Sequence, residues 1–226
     1  MTARLLMKEV SAGRMSWGDR VTQTELSAAE EPSKIDLAPG ESVSVKEALA
    51  VLMVKSANDV AVAIAEKVSG SVEAFVARMN AEAAALGMTN TVFVTPNGFP
   101  PPAGSRRGFD ESTPRDLASL ACAILDEQPE LLDFTSLKSV TVKGRGGKEL
   151  TFGTHNNLLL RKSDSYMPEA DGLKTGYFRL AGCSLVATAS RNGRRAVAVV
   201  VGSPSARERD AAAKDLLSKS LDAIDW

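Results

Sequence analysis

The chain has 226 residues, is 44% hydrophobic and 24% charged, and sets 27 Lys and Arg against 28 Asp and Glu for a formal net charge of -1. This is globular composition with no bulk field to draw in nucleic acid or an anionic membrane. The longest apolar stretches, such as Ala196 to Val201, fall far short of the roughly 20 residues a membrane helix needs, so a soluble chain without a membrane segment is expected.

Met1 to Lys8 shows no extended apolar core and no small-residue cleavage site, so no signal peptide is read there, and export would depend on sequence outside these residues. From Val45 to Lys55 the apolar residues Val45, Ala48, Leu49, Leu52 and Met53 recur at helical spacing and predict a buried helix face that runs into Ser56. Asp59 is expected to cap a second short helix reaching Lys67. Gly70 separates it from a third, with the face Val72, Phe75, Val76, Met79, Ala83 and Leu86, closed by Gly87. Ser56-Ala57-Asn58 therefore falls at a helix-helix junction.

Pro96-Asn97-Gly98 and Pro100-Pro101-Pro102 mark a loop extending to about Ser112, and Thr113-Pro114-Arg115-Asp116 supplies an N-cap, a first-turn proline and an acid for the next helix. That helix buries Leu117, Leu120, Ala121, Ile124 and Leu125. Beyond Pro129 the period changes to two. Val140 and Val142, then Leu150 and Phe152, flank Gly144-Arg145-Gly146-Gly147 and predict a hairpin. Ala181 to Ser190 and Arg195 to Gly202 are β-rich runs joined through Asn192-Gly193, a strong hairpin signal, and are expected to be central, buried strands. Ser205-Ala206-Arg207-Glu208 fits a capping box for a last helix with the face Ala213, Leu216, Leu217, Leu221 and Ile224. Strands closing against a terminal helix, with a helical block inserted earlier, predict an α/β chain of α+β type with a mainly antiparallel sheet.

Cys122 and Cys183 sit among small and apolar residues and are expected to be buried thiols. One histidine and two distant cysteines do not make a zinc site of the usual kind, and no phosphate-binding glycine loop occurs, so neither metal nor cofactor is expected. His155 has no G-x-S-x-G elbow to serve and reads as a polar loop residue beside Asn156.

Two motifs remain, Ser56-Ala57-Asn58 and Lys174-Thr175-Gly176. S-x-N arises by chance in roughly every second chain of this size and K-T-G in only about a few per cent, so their ordered pairing carries far more weight than either alone. With them stand Asp59, Met79-Asn80, Leu86-Gly87-Met88-Thr89-Asn90-Thr91, Pro96-Asn97-Gly98, Arg115-Asp116-Leu117-Ala118, Asp171-Gly172-Leu173 and Ala181-Gly182. On these residues, which span essentially the whole chain, the sequence resembles the low-molecular-mass penicillin-binding D-alanyl-D-alanine carboxypeptidases of serine peptidase family S11.

The resemblance implies a serine β-lactamase/DD-peptidase fold and a substrate at the D-Ala-D-Ala end of a peptidoglycan stem peptide, with β-lactams as covalent ligands and the cell envelope as location. By position, it implies that Ser56 relays protons between the nucleophile, its lysine and the leaving amine, and that Asn58 holds the substrate backbone. Lys174 would add positive potential, Thr175 would bind the substrate carboxylate, and Gly176 would leave room for a peptide. The backbone N–H of Tyr177 would form half of an oxyanion hole, and Arg209 would help bind the terminal carboxylate.

The family's nucleophile lies in S-x-x-K, upstream of S-x-N, and these 226 residues contain no such motif. Met1-Thr2-Ala3-Arg4-Leu5-Leu6 is similar to the helix segment that follows S-x-x-K. The expectation is a single peptidase domain over 1–226, truncated at its N-terminus, with a helical block at about 45–135 and the sheet and terminal helix at about 136–226. The missing part would include the nucleophile and the first strands, leaving this chain inactive and a sheet edge bare. A class A β-lactamase relative is the rival within enzymes, although no E-x-x-L-N lies between the motifs. A non-catalytic peptidoglycan-binding protein is the rival from another class.

Overall fold

The structure is a computed structural model and describes residues 1–99 and 108–223. Its helices are α1 (Thr2–Ser11), α2 (Glu25–Ala28), α3 (Val45–Val54), α4 (Asn58–Ser69), α5 (Val72–Ala85), α6 (Pro114–Glu127), α7 (Leu132–Thr135) and α8 (Ala206–Ala223). Its strands are β1 (Arg20–Thr22), β2 (Ser42–Ser44), β3 (Ser139–Lys143), β4 (Glu149–Gly153), β5 (Ala170–Phe178), β6 (Gly182–Arg191) and β7 (Arg194–Ser203). All strand pairing is antiparallel. The described residues form a mixed α/β protein of helices and antiparallel sheets. It divides into two compact units, Met1–Glu111 with Ser139–Gly153, and Ser112–Lys138 with Thr154–Trp226. Pro100, Pro101 and Pro102, and Ile224 of the expected last-helix face, lie outside the described residues.

The first unit is organised by α4, whose residues Asn58 through Ala65 are all buried. Small β-branched and alanine side chains let α1, α2, α3 and α5 pack close to it. Local signals set the helix limits. Ser44 and Glu47 form a reciprocal capping box at α3, Ser71 caps α5 through the Ala74 N–H at 3.1 Å, and Gly70 ends α4 at φ 79°. The β3–β4 hairpin packs on α3, with the Lys55 ammonium 5.5 Å from the centre of the Phe152 ring.

In the second unit β5, β6 and β7 form a sheet in that order, and the Asn192-Gly193 turn joins β6 to β7 with positive φ at both residues. Leu185, Ala187 and Ala189 of β6 join Ala213, Leu217 and Leu221 of α8 in the core, and α6 packs against β7. Ser205 accepts the Glu208 N–H at 3.2 Å and donates to its carboxylate at 2.9 Å.

Several expectations need correction. Asp59 is not the cap of α4: Ala57 occupies that position without a side-chain bond, and Asp59 lies inside the first turn. β6 is central, but β7 lies at one side of the described sheet. Cys122 is exposed on α6, because the buried face of that helix runs through Leu120, Ala121 and Ile124. Leu216 is likewise exposed, one position off the stripe through Ala213, Leu217 and Leu221.

Two carboxylates tie α1 to α5. Glu82 accepts from Arg4 at 2.8 Å and Lys8 at 2.6 Å, while Glu9 accepts from Arg14 at 2.7 Å and from Arg78. The Arg14 hydrogen bond, opposed by desolvation and aided by Arg78, lowers the Glu9 carboxyl from an ordinary 4.5 to about 2. A depressed carboxyl stabilises the fold above its unfolded value and loses that contribution as pH falls through its folded value. Glu9→Gln is therefore expected to lower stability at pH 7 by about 1 kcal/mol, a modest figure because the arginines keep much of their solvent. In urea unfolding the gap between the two proteins should close as the pH is taken from 4.5 towards 2.

Candidate functional site

Ser56 sits between the end of α3 and the start of α4, half-buried, with φ 59°. A non-glycine residue in the left-handed region costs about 1–3 kcal/mol and persists only where the surroundings demand it. Here the demand is the abrupt turn from one buried helix into another. Asn58 is 6% exposed, and both its donors face one segment: its N–H donates to Ser33 O at 2.7 Å and its Nδ2 to Glu31 O at 2.9 Å. Ser33 returns a bond from its hydroxyl to Lys55 O at 3.0 Å. The Asp59 carboxylate accepts the N–H groups of Ile35 at 3.0 Å, Asp36 at 3.2 Å and Val60 at 2.8 Å. Desolvation outweighs those bonds and raises its pKa. Residues 31–36 are thus strapped to the S-x-N junction, a role for Asn58 and Asp59 that periodicity could not reveal.

Lys174, Thr175 and Gly176 lie in β5 opposite Val186, Leu185 and Ser184 of β6. The entry to this strand is held from several sides. Arg195 grips the Asp171 carboxylate through two nitrogens, each at 2.8 Å, and also donates to the Thr188 hydroxyl at 2.8 Å. The Thr135 hydroxyl donates to Asp171 O at 2.8 Å, and Asn156 Nδ2 donates to Gly172 O at 3.3 Å. A Cβ on Gly172 would stand 2.5 Å from Thr135 Oγ1, which explains that glycine. Gly176 differs: a Cβ there would meet only Ser184 Cβ at an ordinary 3.8 Å, so the sheet itself does not require it. Tyr177 is 71% exposed.

Lys174 is half-buried and donates from Nζ to Thr175 O at 2.7 Å. Desolvation first, and the charge of Arg209 second, lower its pKa from 10.5 to about 8. Arg209, on the first turns of α8, is 4% exposed and bonded to Asp210, whereas an arginine early in a helix would ordinarily be a solvated charge. The structure therefore brings Lys174 and Arg209 into electrostatic contact. His155 is exposed in the segment between β4 and Asn156. Among the described residues no group of three or more His, Cys, Asp or Glu is placed to hold a metal ion, and no described helix is long and apolar enough to cross a membrane.

The family profile of the D-alanyl-D-alanine carboxypeptidases, peptidase S11, matches residues 1–205. The chain belongs to this family. The D-alanyl-D-alanine carboxypeptidase DacF of Bacillus subtilis is 34% identical over 217 residues, covering 96% of this chain and 53% of that protein. Among solved structures, the carboxypeptidase DacD of Francisella tularensis superposes with a TM-score of 0.88 at 26% identity, covering 97% of this chain and 62% of that one. Penicillin-binding protein 6B of Escherichia coli gives 0.82 at 33% identity, covering 96% and 66%. The chain thus spans about half the length of the curated relatives it matches. The S11 resemblance read from the motifs is borne out, and both S-x-N and K-T-G lie inside the matched residues.

Because Ser56 is held at a left-handed φ, Ser56→Gly should be more stable than Ser56→Ala by about 1 kcal/mol in urea unfolding, since glycine alone adopts that φ without penalty. Equal stability would place the strain elsewhere.

Lys174 makes a separate prediction through its charge. Below pH 8 both folded and unfolded chains hold its proton, and between 8 and 10.5 the folded chain releases it first, so stability rises with pH across that window. Relative to Lys174→Met, the wild type should gain on the order of 1 kcal/mol from pH 8 to 10.5, discounted because the lysine is half in solvent.

Proposed function

We propose that this chain serves a serine-type D-alanyl-D-alanine carboxypeptidase that acts on peptidoglycan stem peptides in the cell envelope and is acylated by β-lactams. The observation that carries the reading is the K-T-G strand: an exposed glycine that its sheet does not require lies in the same strand as a half-buried lysine that has a buried arginine as a neighbouring cation. A strand with those properties suits a peptide that ends in a carboxylate. In the proposed reaction a serine oxygen attacks the carbonyl carbon of the penultimate D-alanine, the peptide C–N bond breaks, and the terminal D-alanine leaves with a proton on its amine. Water then hydrolyses the acyl-enzyme ester. Ser56 relays the proton, Asn58 holds the substrate backbone, Lys174, Thr175 and Arg209 receive the carboxylate, and the Tyr177 N–H stabilises the oxyanion. Gly176 leaves space for the peptide.

The 226 residues hold no S-x-x-K, and on this reading the attacking serine is supplied from outside them. The same observation supports a second reading, a peptidoglycan-binding protein without catalysis. Incubation with a fluorescent penicillin separates the two. The 226-residue chain alone should show no covalent band, and the chain extended upstream in its native reading frame should label and release D-alanine from a D-alanyl-D-alanine peptide. An extended chain that binds such a peptide without labelling would favour the non-catalytic reading. Rapid penicillin turnover without peptide cleavage would indicate a β-lactamase.

A further inference from the structure

We propose that Arg195 and Asp171 are positioning residues: their ion pair holds one extra residue in β5 and thereby sets which faces of the strand Lys174 and Thr175 occupy. The inference rests on the reading of the K-T-G strand as a wall of the peptide groove and adds what sets the phase of that wall.

β5 and β6 do not pair residue for residue. Ala170 lies opposite Ala189 and Gly172 opposite Thr188, so Asp171 is one residue more than β6 matches, which is a β-bulge. Successive side chains of a strand take opposite faces, and residues directly opposed across two strands share a face. Ala170 and Ala189 both pack in the core that α8 covers. Beyond the bulge, Thr175 lies opposite Leu185 of that core and Lys174 opposite Val186. Unbroken pairing from Ala170 would instead set Lys174 opposite Leu185 and Thr175 opposite Ser184. A single residue thus exchanges the faces of the lysine and the threonine, and it spares an ammonium from an apolar face where burial would be costly.

The extra residue of a bulge is left out of the ladder and needs other partners. Three elements supply them. From β7, Arg195 crosses β6, donates to the Thr188 hydroxyl at 2.8 Å and meets both carboxylate oxygens of Asp171 with two nitrogens, each at 2.8 Å. Such a paired fork fixes direction as well as distance. From α7, the Thr135 hydroxyl donates to Asp171 O at 2.8 Å, and from the segment after β4, Asn156 Nδ2 donates to Gly172 O at 3.3 Å. Thr135, Asn156 and Thr188 are all buried, so these anchors stand in packed surroundings. Among the described residues, Arg195 is the one that grips the extra residue by its side chain, and its bonds span all three strands of the sheet.

Amide hydrogen exchange of the 226-residue chain, followed by NMR, reads the phase directly. β5 lies at one side of the described sheet, so its amides alternate between those that face β6 and those that do not. In the wild type, slow and fast amides should alternate from Leu173 to Tyr177 with a contrast of about a hundredfold. Asp171→Ala should cut that contrast by about tenfold or invert it, as the strand slips into unbroken pairing. Arg195→Gln should do the same without altering β5, and it carries the test if Asp171→Ala does not fold. Deleting Asp171 from Arg195→Gln removes the extra residue itself, so the contrast should return in the wild-type phase. General destabilisation would not be repaired by a second loss. Unchanged alternation in either single variant, or a deletion that restores nothing, overturns the proposal.

A second arm uses the chain extended upstream in its native reading frame. Asp171→Ala and Arg195→Gln should each slow its acylation by fluorescent penicillin by about tenfold or more, and the deletion should recover most of that rate. Full acylation in a variant whose phase has moved would overturn the positioning role. If the extended wild type never labels, the peptidase reading fails, and the exchange pattern still decides whether Arg195 and Asp171 set the phase of β5.

Discussion

A helix buried on every side must find partners within the protein for the N–H groups of its first turn, and α4 is such a helix from Asn58 to Ala65. Much of the first unit answers that requirement. Asn58 gives its N–H to Ser33 O, the Asp59 carboxylate takes the Val60 N–H, and the same carboxylate reaches across to Ile35 and Asp36. The segment around residue 33 is thereby held in place by the start of the helix. The same burial leaves the chain no gradual path from α3 into α4, which is why Ser56 takes a left-handed conformation.

The second unit turns on a different constraint, the placement of charge beside a sheet. Asp171 is gripped by Arg195 across β6, and this fixes where the K-T-G strand begins. Lys174 is then half-buried with Arg209 as a neighbouring cation, an arrangement that disfavours its proton. Asp210, wholly buried, pairs with Arg209 through one oxygen and accepts from Asn157 Nδ2 at the other, which meets the cost of its burial. The unit therefore sets two cations, Lys174 and Arg209, in the neighbourhood of a glycine that its sheet does not need.

Several residues of the resemblance do structural work. Asn80 copies a strand partner, donating to Phe93 O and accepting its N–H, each at 2.8 Å. Asn97 donates to Glu30 at 2.9 Å. These motifs were legible as family marks, yet their mechanical purpose was not, because each partner lies in another segment of the chain. Arg195 and Asp171 are 24 residues apart, and Asn157 and Asp210 are 53 apart. No periodicity or capping rule connects residues at such separations.

The sequence by itself determined whatever depends on near neighbours: the helix faces of α3 and α5, the Asn192-Gly193 turn, the Ser205 cap on the Glu208 N–H, and the ordered motifs that place the chain in its family. Those features follow from period, φ preference and short-range hydrogen bonding. Only the tertiary structure decided which polar groups would be buried and with whom. Cys122, set among apolar residues, ended in solvent, while Arg209 and Asp210, in a run of charge, ended inside. Burial of a polar side chain depends on a partner that meets its hydrogen bonds, and that partner is supplied by the fold.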